Sequence, residues 1–164
     1  PDFTISLAEQ TGINLVMSGS SEESPDHQHY FNIYRKLAEG IKNVKVIKMP
    51  MGPGHHEFKR ELYRRARAVI LPYFMEAFGL ITCEALSCGT PVLGTNEGAM
   101  PEIIRPGETG FLCRNEAEFL NAIKNVDQLS PKACREDSVA RWDRRRVARD
   151  YMKVYESLAS GEDF

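Results

Sequence analysis

Short apolar runs rich in β-branched residues alternate along this chain with longer stretches whose apolar positions recur every three to four residues. That order predicts a parallel sheet covered by helices on both faces, a Rossmann-like doubly wound α/β fold. Residues 3–10 read as a helix and 14–17 as a strand. Ser24 and Pro25 suit an N-cap and a first helical position, and Tyr30, Ile33, Tyr34, Leu37 and Ile41 give the next helix a stripe expected to be buried. A strand follows at 44–47, then a helix marked by Phe58, Leu62, Tyr63 and Ala66. Val69, Ile70 and Leu71 form a short strand stopped by Pro72, residues 78–86 a helix, and 91–93 another strand. After a strand at 111–112, Asn115 and Glu118 have capping-box spacing at the head of a helix reaching 126. Two closing helices start near Ser130-Pro131 and Asp143, and the chain shows neither an internal repeat nor an interdomain linker.

Composition narrows the class. With 164 residues and 42% hydrophobic content, the chain is expected to fold as one domain around its own core, without staples. Its four cysteines, Cys83, Cys88, Cys113 and Cys134, form no C-x-x-C pair, which favours reduced thiols and a cytoplasmic setting. No apolar stretch approaches the roughly 20 residues needed to span a bilayer, although a partner at a membrane surface stays compatible. Twenty-one basic against 23 acidic residues leave no overall field for nucleic acid. The one basic cluster, Arg141, Arg144, Arg145, Arg146 and Arg149, adjoins apolar positions at helical spacing (Val147, Tyr151, Val154, Tyr155, Leu158) and reads as a solvated helix face.

Candidate chemistry concentrates in PYFMEAFGLITCEALSCGTPV, where Glu76 and Glu84 bracket a strand-to-helix turn. Phe78, Gly79 and Leu80 are expected at the helix N-terminus, where unpaired amides and the positive dipole end attract anions such as a diphosphate. Gly79 would let a ligand approach the backbone. Glu84, about one turn further on, could accept hydroxyl hydrogen bonds from a ribose, while Glu76 precedes the helix and points toward what lies beyond the phosphates. Acidic residues near a helix start also occur for dipole reasons alone.

The run ELYRRARAVILPYFMEAFGLITCEALSCGTPVLGTNEGAMPEIIRPGETGFL resembles the donor-binding half of the family 4 glycosyltransferases, which have the two-domain GT-B fold. The resemblance rests on the Glu-x7-Glu pair, the Phe-Gly-Leu inside it, the Glu-Ala-Leu-x-x-Gly-Thr-Pro-Val that follows, and the later Pro-Glu-Ile-Ile and Thr-Gly-Phe-Leu. It implies transfer of a sugar from a nucleotide diphosphate sugar, with UDP, GDP or ADP as nucleotide, retention of anomeric configuration, and no tightly held cofactor or metal. It assigns Glu76 to the donor-sugar hydroxyls as the catalytic position, Glu84 to the ribose, and the amides near Phe78, Gly79 and Leu80 to the phosphates. It further places a donor-facing loop at Gly19 and Ser20, and the backbone at Met49 against the nucleobase. In that family a central strand, an arginine and a lysine precede the segment matched here, with an acceptor-binding N-terminal domain before them. The chain is therefore expected to be one part of a longer protein, inactive in transfer by itself.

Other features carry less. The serine-rich 18–21 loop is equally an ordinary turn. His55 and His56 diverge by about 100° on a helix and lack the His-Glu-x-x-His spacing, so a helix N-terminal role is expected rather than a metal site. The resemblance places the Gly94–Ala99 turn on the sugar pocket or the interdomain cleft, and Glu102, near the start of a short helix, suits dipole compensation as well as a ligand contact. Two alternatives to transfer remain open: a non-catalytic nucleotide-sugar binding or assembly module, and a GT-B phosphorylase or epimerase.

Overall fold

The computed structural model describes residues 2–19 and 25–161. Within them, helices α1 (Asp2–Thr11), α2 (Pro25–Leu37), α3 (His55–Arg65), α4 (Leu80–Ser87), α5 (Met100–Ile103), α6 (Glu116–Asn125), α7 (Pro131–Trp142) and α8 (Arg144–Ala159) alternate with strands β1 (Leu15–Gly19), β2 (Val44–Lys48), β3 (Val69–Leu71), β4 (Val92–Thr95) and β5 (Gly110–Cys113). All pairing is parallel, in two sheets ordered β1-β2 and β3-β4-β5. Among the described residues no strand joins the second edge of β1 to that of β3. The two sheets do not pair directly.

Alternation along β4 divides the larger core. Val92 packs on one face with Leu71, Leu86 and Ile103, while Leu93 packs on the other with Phe119 and Ile123. Helices thus cover both faces, as the pattern predicts. Helix α1 belongs to both sheets: Leu7 joins the Leu93 side, and Ile5 and Ala8 pack with Val44 of β2. Each fully buried leucine contributes about 1.5 to 3 kcal/mol by leaving water.

Local chemistry explains the helix starts. The Asn115 side chain accepts from the Glu118 amide at 3.0 Å, Ser130 caps α7 ahead of Pro131, and Asp143 caps α8. Ser24 lies outside the described residues.

Four expectations are corrected. Helix α2 buries none of its residues: Tyr30 is 53% exposed and Leu37 47%. A two-stranded sheet is too narrow a floor for that stripe, and the helix stops at Leu37 before Gly40, whose φ of 85° is left-handed. Helix α4 begins at Leu80 instead of 78, because Gly79 adopts φ 86° and acts as its N-cap. Arg141 does not belong to a solvated face: it lies on α7, donates to the Ile103 carbonyl at 3.1 Å and to that of Glu102, and pairs with Asp137 at 3.0 Å. Helix α8 buries none of its residues, so its apolar stripe is as open as its arginines.

Candidate functional site

The turn from β3 into α4 holds the candidates Glu76, Phe78, Gly79 and Leu80, and its geometry follows from Gly79. Its φ of 86° is left-handed, which favours glycine, and a Cβ there would lie 2.7 Å from the Cδ1 of Ile103 and push the end of that side chain aside. The first bond of the helix runs from the Cys83 amide to the Gly79 carbonyl at 3.0 Å. The amides of Leu80 and Ile81 therefore have no acceptor within the helix. Leu80 is 66% exposed, which leaves this end of α4 open to solvent.

Glu76 is turned back onto the helix start, where its Oε1 accepts from the Gly79 amide at 3.0 Å. One of the amides expected to meet phosphate is thus satisfied internally, and the carboxylate offsets part of the positive end of the dipole. The backbone of Glu76 is clamped as well. Its carbonyl accepts from the Ala99 amide at 2.9 Å, and Gly98, at φ 57°, approaches so closely that a Cβ would lie 2.5 Å from that carbonyl. Burial, and then the charge of Glu76, push the Tyr73 hydroxyl above its ordinary value, so it stays protonated at neutral pH.

Glu84 faces a different element. Its Oε2 accepts from the Tyr63 hydroxyl at 3.0 Å and pairs with the Lys59 Nζ at 2.5 Å, both from α3. Tyr63 is itself held in place, its main-chain carbonyl accepting from the Thr90 hydroxyl at 2.6 Å. Burial first, with the Glu84 charge behind it, raises the Tyr63 hydroxyl far above its ordinary value, which keeps it a donor.

The remaining candidates fall into separate groups. Gly19 and Met49 meet at the carboxyl ends of β1 and β2, where the Met49 amide donates to the Gly19 carbonyl at 2.9 Å. Ser20 lies outside the described residues. Among those described, no hydrogen bond or ion pair links the Gly19 and Met49 pair to the β3–α4 turn. Phe78 is half-exposed and packs its ring edge-on against Trp142, 6.3 Å between centroids. His55 sits at the start of α3 with Nδ1 3.1 Å from the Pro50 carbonyl, and among the described residues no group of three His, Cys, Asp or Glu side chains could hold a metal. Two surface hollows, of about 580 Å³ on α2 and about 480 Å³ beside α6, contain none of the candidate residues.

Sequence reasoning missed Lys59 and Tyr63 as parts of this arrangement, and it named the Gly94–Ala99 turn without the hold of Ala99 on Glu76. Tyr63 stood in the apolar stripe of its helix, and nothing local marked its hydroxyl as the partner of a residue 21 positions away.

Residues 3–136 match the family described as glycosyl transferases group 1. The chain belongs to that family. Relatives include a D-inositol 3-phosphate glycosyltransferase of Geodermatophilus obscurus, 32% identical over 133 residues that make up 77% of this chain and 28% of that protein. An N-acetyl-alpha-D-glucosaminyl L-malate synthase of Bacillus anthracis is 36% identical over 44% of this chain and 19% of its own length. This group 1 chain therefore spans about a quarter of the length of the curated relatives it matches. Its fold is that of sucrose-phosphate synthase from Thermosynechococcus elongatus, with a TM-score of 0.79 at 22% identity over 98% of this chain and 42% of the other. Anabaena HepE, solved in complex with UDP and glucose, superposes with a TM-score of 0.64 at 18% identity over 97% of this chain and 52% of its own. These likenesses establish one Rossmann-like half of a GT-B glycosyltransferase fold, and no described helix is long and apolar enough to cross a membrane.

Proposed function

We propose that this chain is the donor-binding domain of a retaining hexosyltransferase, using a UDP-, GDP- or ADP-sugar and completed by an acceptor-binding domain elsewhere in the protein. The observation that carries the reading is the β3–α4 turn. It presents the free amides of Leu80 and Ile81 to solvent, with Glu76 fixed at its entrance by Ala99 and Glu84 fixed behind it by α3. In this reading the exposed amides take the diphosphate, Glu84 the ribose, Glu76 the transferring sugar, and the ends of β1 and β2 at Gly19, Ser20 and Met49 the base side. Two carboxylates and one lysine make a poor anion site alone, so cationic side chains from outside this chain complete the phosphate contacts. The complexes of Anabaena HepE with UDP and glucose and with UDP-glucose support the ligand class. Four unpaired thiols suit the cytoplasm, and the acceptor, free or at a membrane surface, meets the donor across the open side of the turn.

Glu76→Gln tests the assignment, because the amide oxygen still caps Gly79 while the charge is gone. In the full-length protein, turnover should fall at least about 100-fold with nucleotide affinity changed less than about threefold, as for an interaction made with the transferring sugar. Equal losses in both would sink the catalytic role. The chain by itself should bind one of UDP, GDP or ADP weakly in calorimetry and transfer no sugar. A binding-only module would show no turnover in the full-length protein to lose.

A further inference from the structure

We infer that Tyr63 and Lys59 are positioning residues that fix how Glu84 meets the ribose of a nucleotide, a step that rests on the donor-site reading above. Both contacts fall on the same carboxylate oxygen: the Tyr63 hydroxyl lies 3.0 Å and the Lys59 ammonium 2.5 Å from Oε2. Among the described residues no hydrogen bond or ion pair engages Oε1, so that oxygen keeps its lone pairs for a ligand. A glutamate on a helix ordinarily samples several rotamers, and two donors on one oxygen select one of them.

The support is stiff on the α3 side. Lys59 is only 19% exposed, against 40% for Glu84, and the Thr90 hydroxyl pins the main chain of Tyr63. The carboxylate is therefore anchored through Oε2 by two groups of α3, while the side chain as a whole stays partly exposed. A ribose diol donating to Oε1 then meets an acceptor already oriented, with less rotamer freedom to lose on binding.

Ribose recognition isolates this effect from simple stability. In the full-length protein, UDP, GDP and ADP are each titrated beside their 2′,3′-dideoxy counterparts, and the tightest pair is used. The wild type should prefer the ribonucleotide by about tenfold or more, as expected of a charge-assisted hydrogen bond, and Glu84→Gln should reduce that preference. Tyr63→Phe and Lys59→Met should each cut it at least about threefold while dideoxynucleotide affinity stays within about twofold. Lys59→Arg, which keeps a cationic donor, should retain it. If the wild type discriminates and both Tyr63→Phe and Lys59→Met keep the full preference, the positioning role is overturned and the donor site stands. If the wild type does not discriminate, the ribose assignment of Glu84 and this inference fall together.

Discussion

The β3-β4-β5 half and the β1-β2 half are built from similar elements, yet only the first closes a core on both faces. Leu86, Leu93 and Met100 are at most 1% exposed in the larger half, whereas Val16 in β1 is 50% exposed and α2 buries none of its residues. A third strand gives each face enough floor for a helix. Two strands do not, and the smaller half relies on α1, with Asn43 holding the Ala8 and Ile13 carbonyls at 2.8 Å each. The signature turn grows from the well-packed half, which is where a preorganised site needs its support.

The sharpest way to break this comparison is to hollow each half. Leu86→Ala should cost about 2 to 5 kcal/mol in urea denaturation, and Ile33→Ala on α2 less than about 1 kcal/mol. Comparable losses would mean that the β1-β2 half is packed better than its exposure suggests.

The clamp on the turn comes next. Gly98→Ala adds a Cβ at positive φ against the Glu76 carbonyl, and should cost about 1 to 3 kcal/mol. Hydrogen exchange should show faster exchange at the Gly79 and Ala99 amides while β1 and β2 are unchanged. A uniform rise across both halves would argue that the turn is not a separate unit.

The gentlest test is pH. Burial pushes the thiols of Cys83, Cys113 and Cys134 from 9.0 up to about 11, and Cys113 and Cys134 lie in the two cores of the larger half. Their protonated forms are favoured by folding, so the unfolded chain loses these protons first as pH rises. The melting temperature should therefore decline as pH climbs from about 9 toward 11, and Cys134→Ala should flatten that decline. An unchanged slope in the variant would remove the thiols as its cause.

Much of this was legible in the chain. Val69–Leu71 as a strand, the caps at Asn115, Ser130 and Asp143, and the helix start near Gly79 all follow from residues within a few positions of one another. The family follows from the same window around Glu76 and Glu84. Less legible was which apolar stripes find a partner: those of α2 and α8 are as regular as that of α6, and only α6 is buried.

By itself the sequence determined periodicity, capping and turn chemistry, because these act through hydrogen bonds and sterics over three or four residues. Only the tertiary structure decided that Glu84 leans on Lys59 and Tyr63, that Ala99 holds Glu76, and that Arg141 ties α7 to α5. Each of those depends on segments about 20 to 40 positions apart meeting across a packed core. Such meetings are fixed by the shape of the whole and leave no local trace.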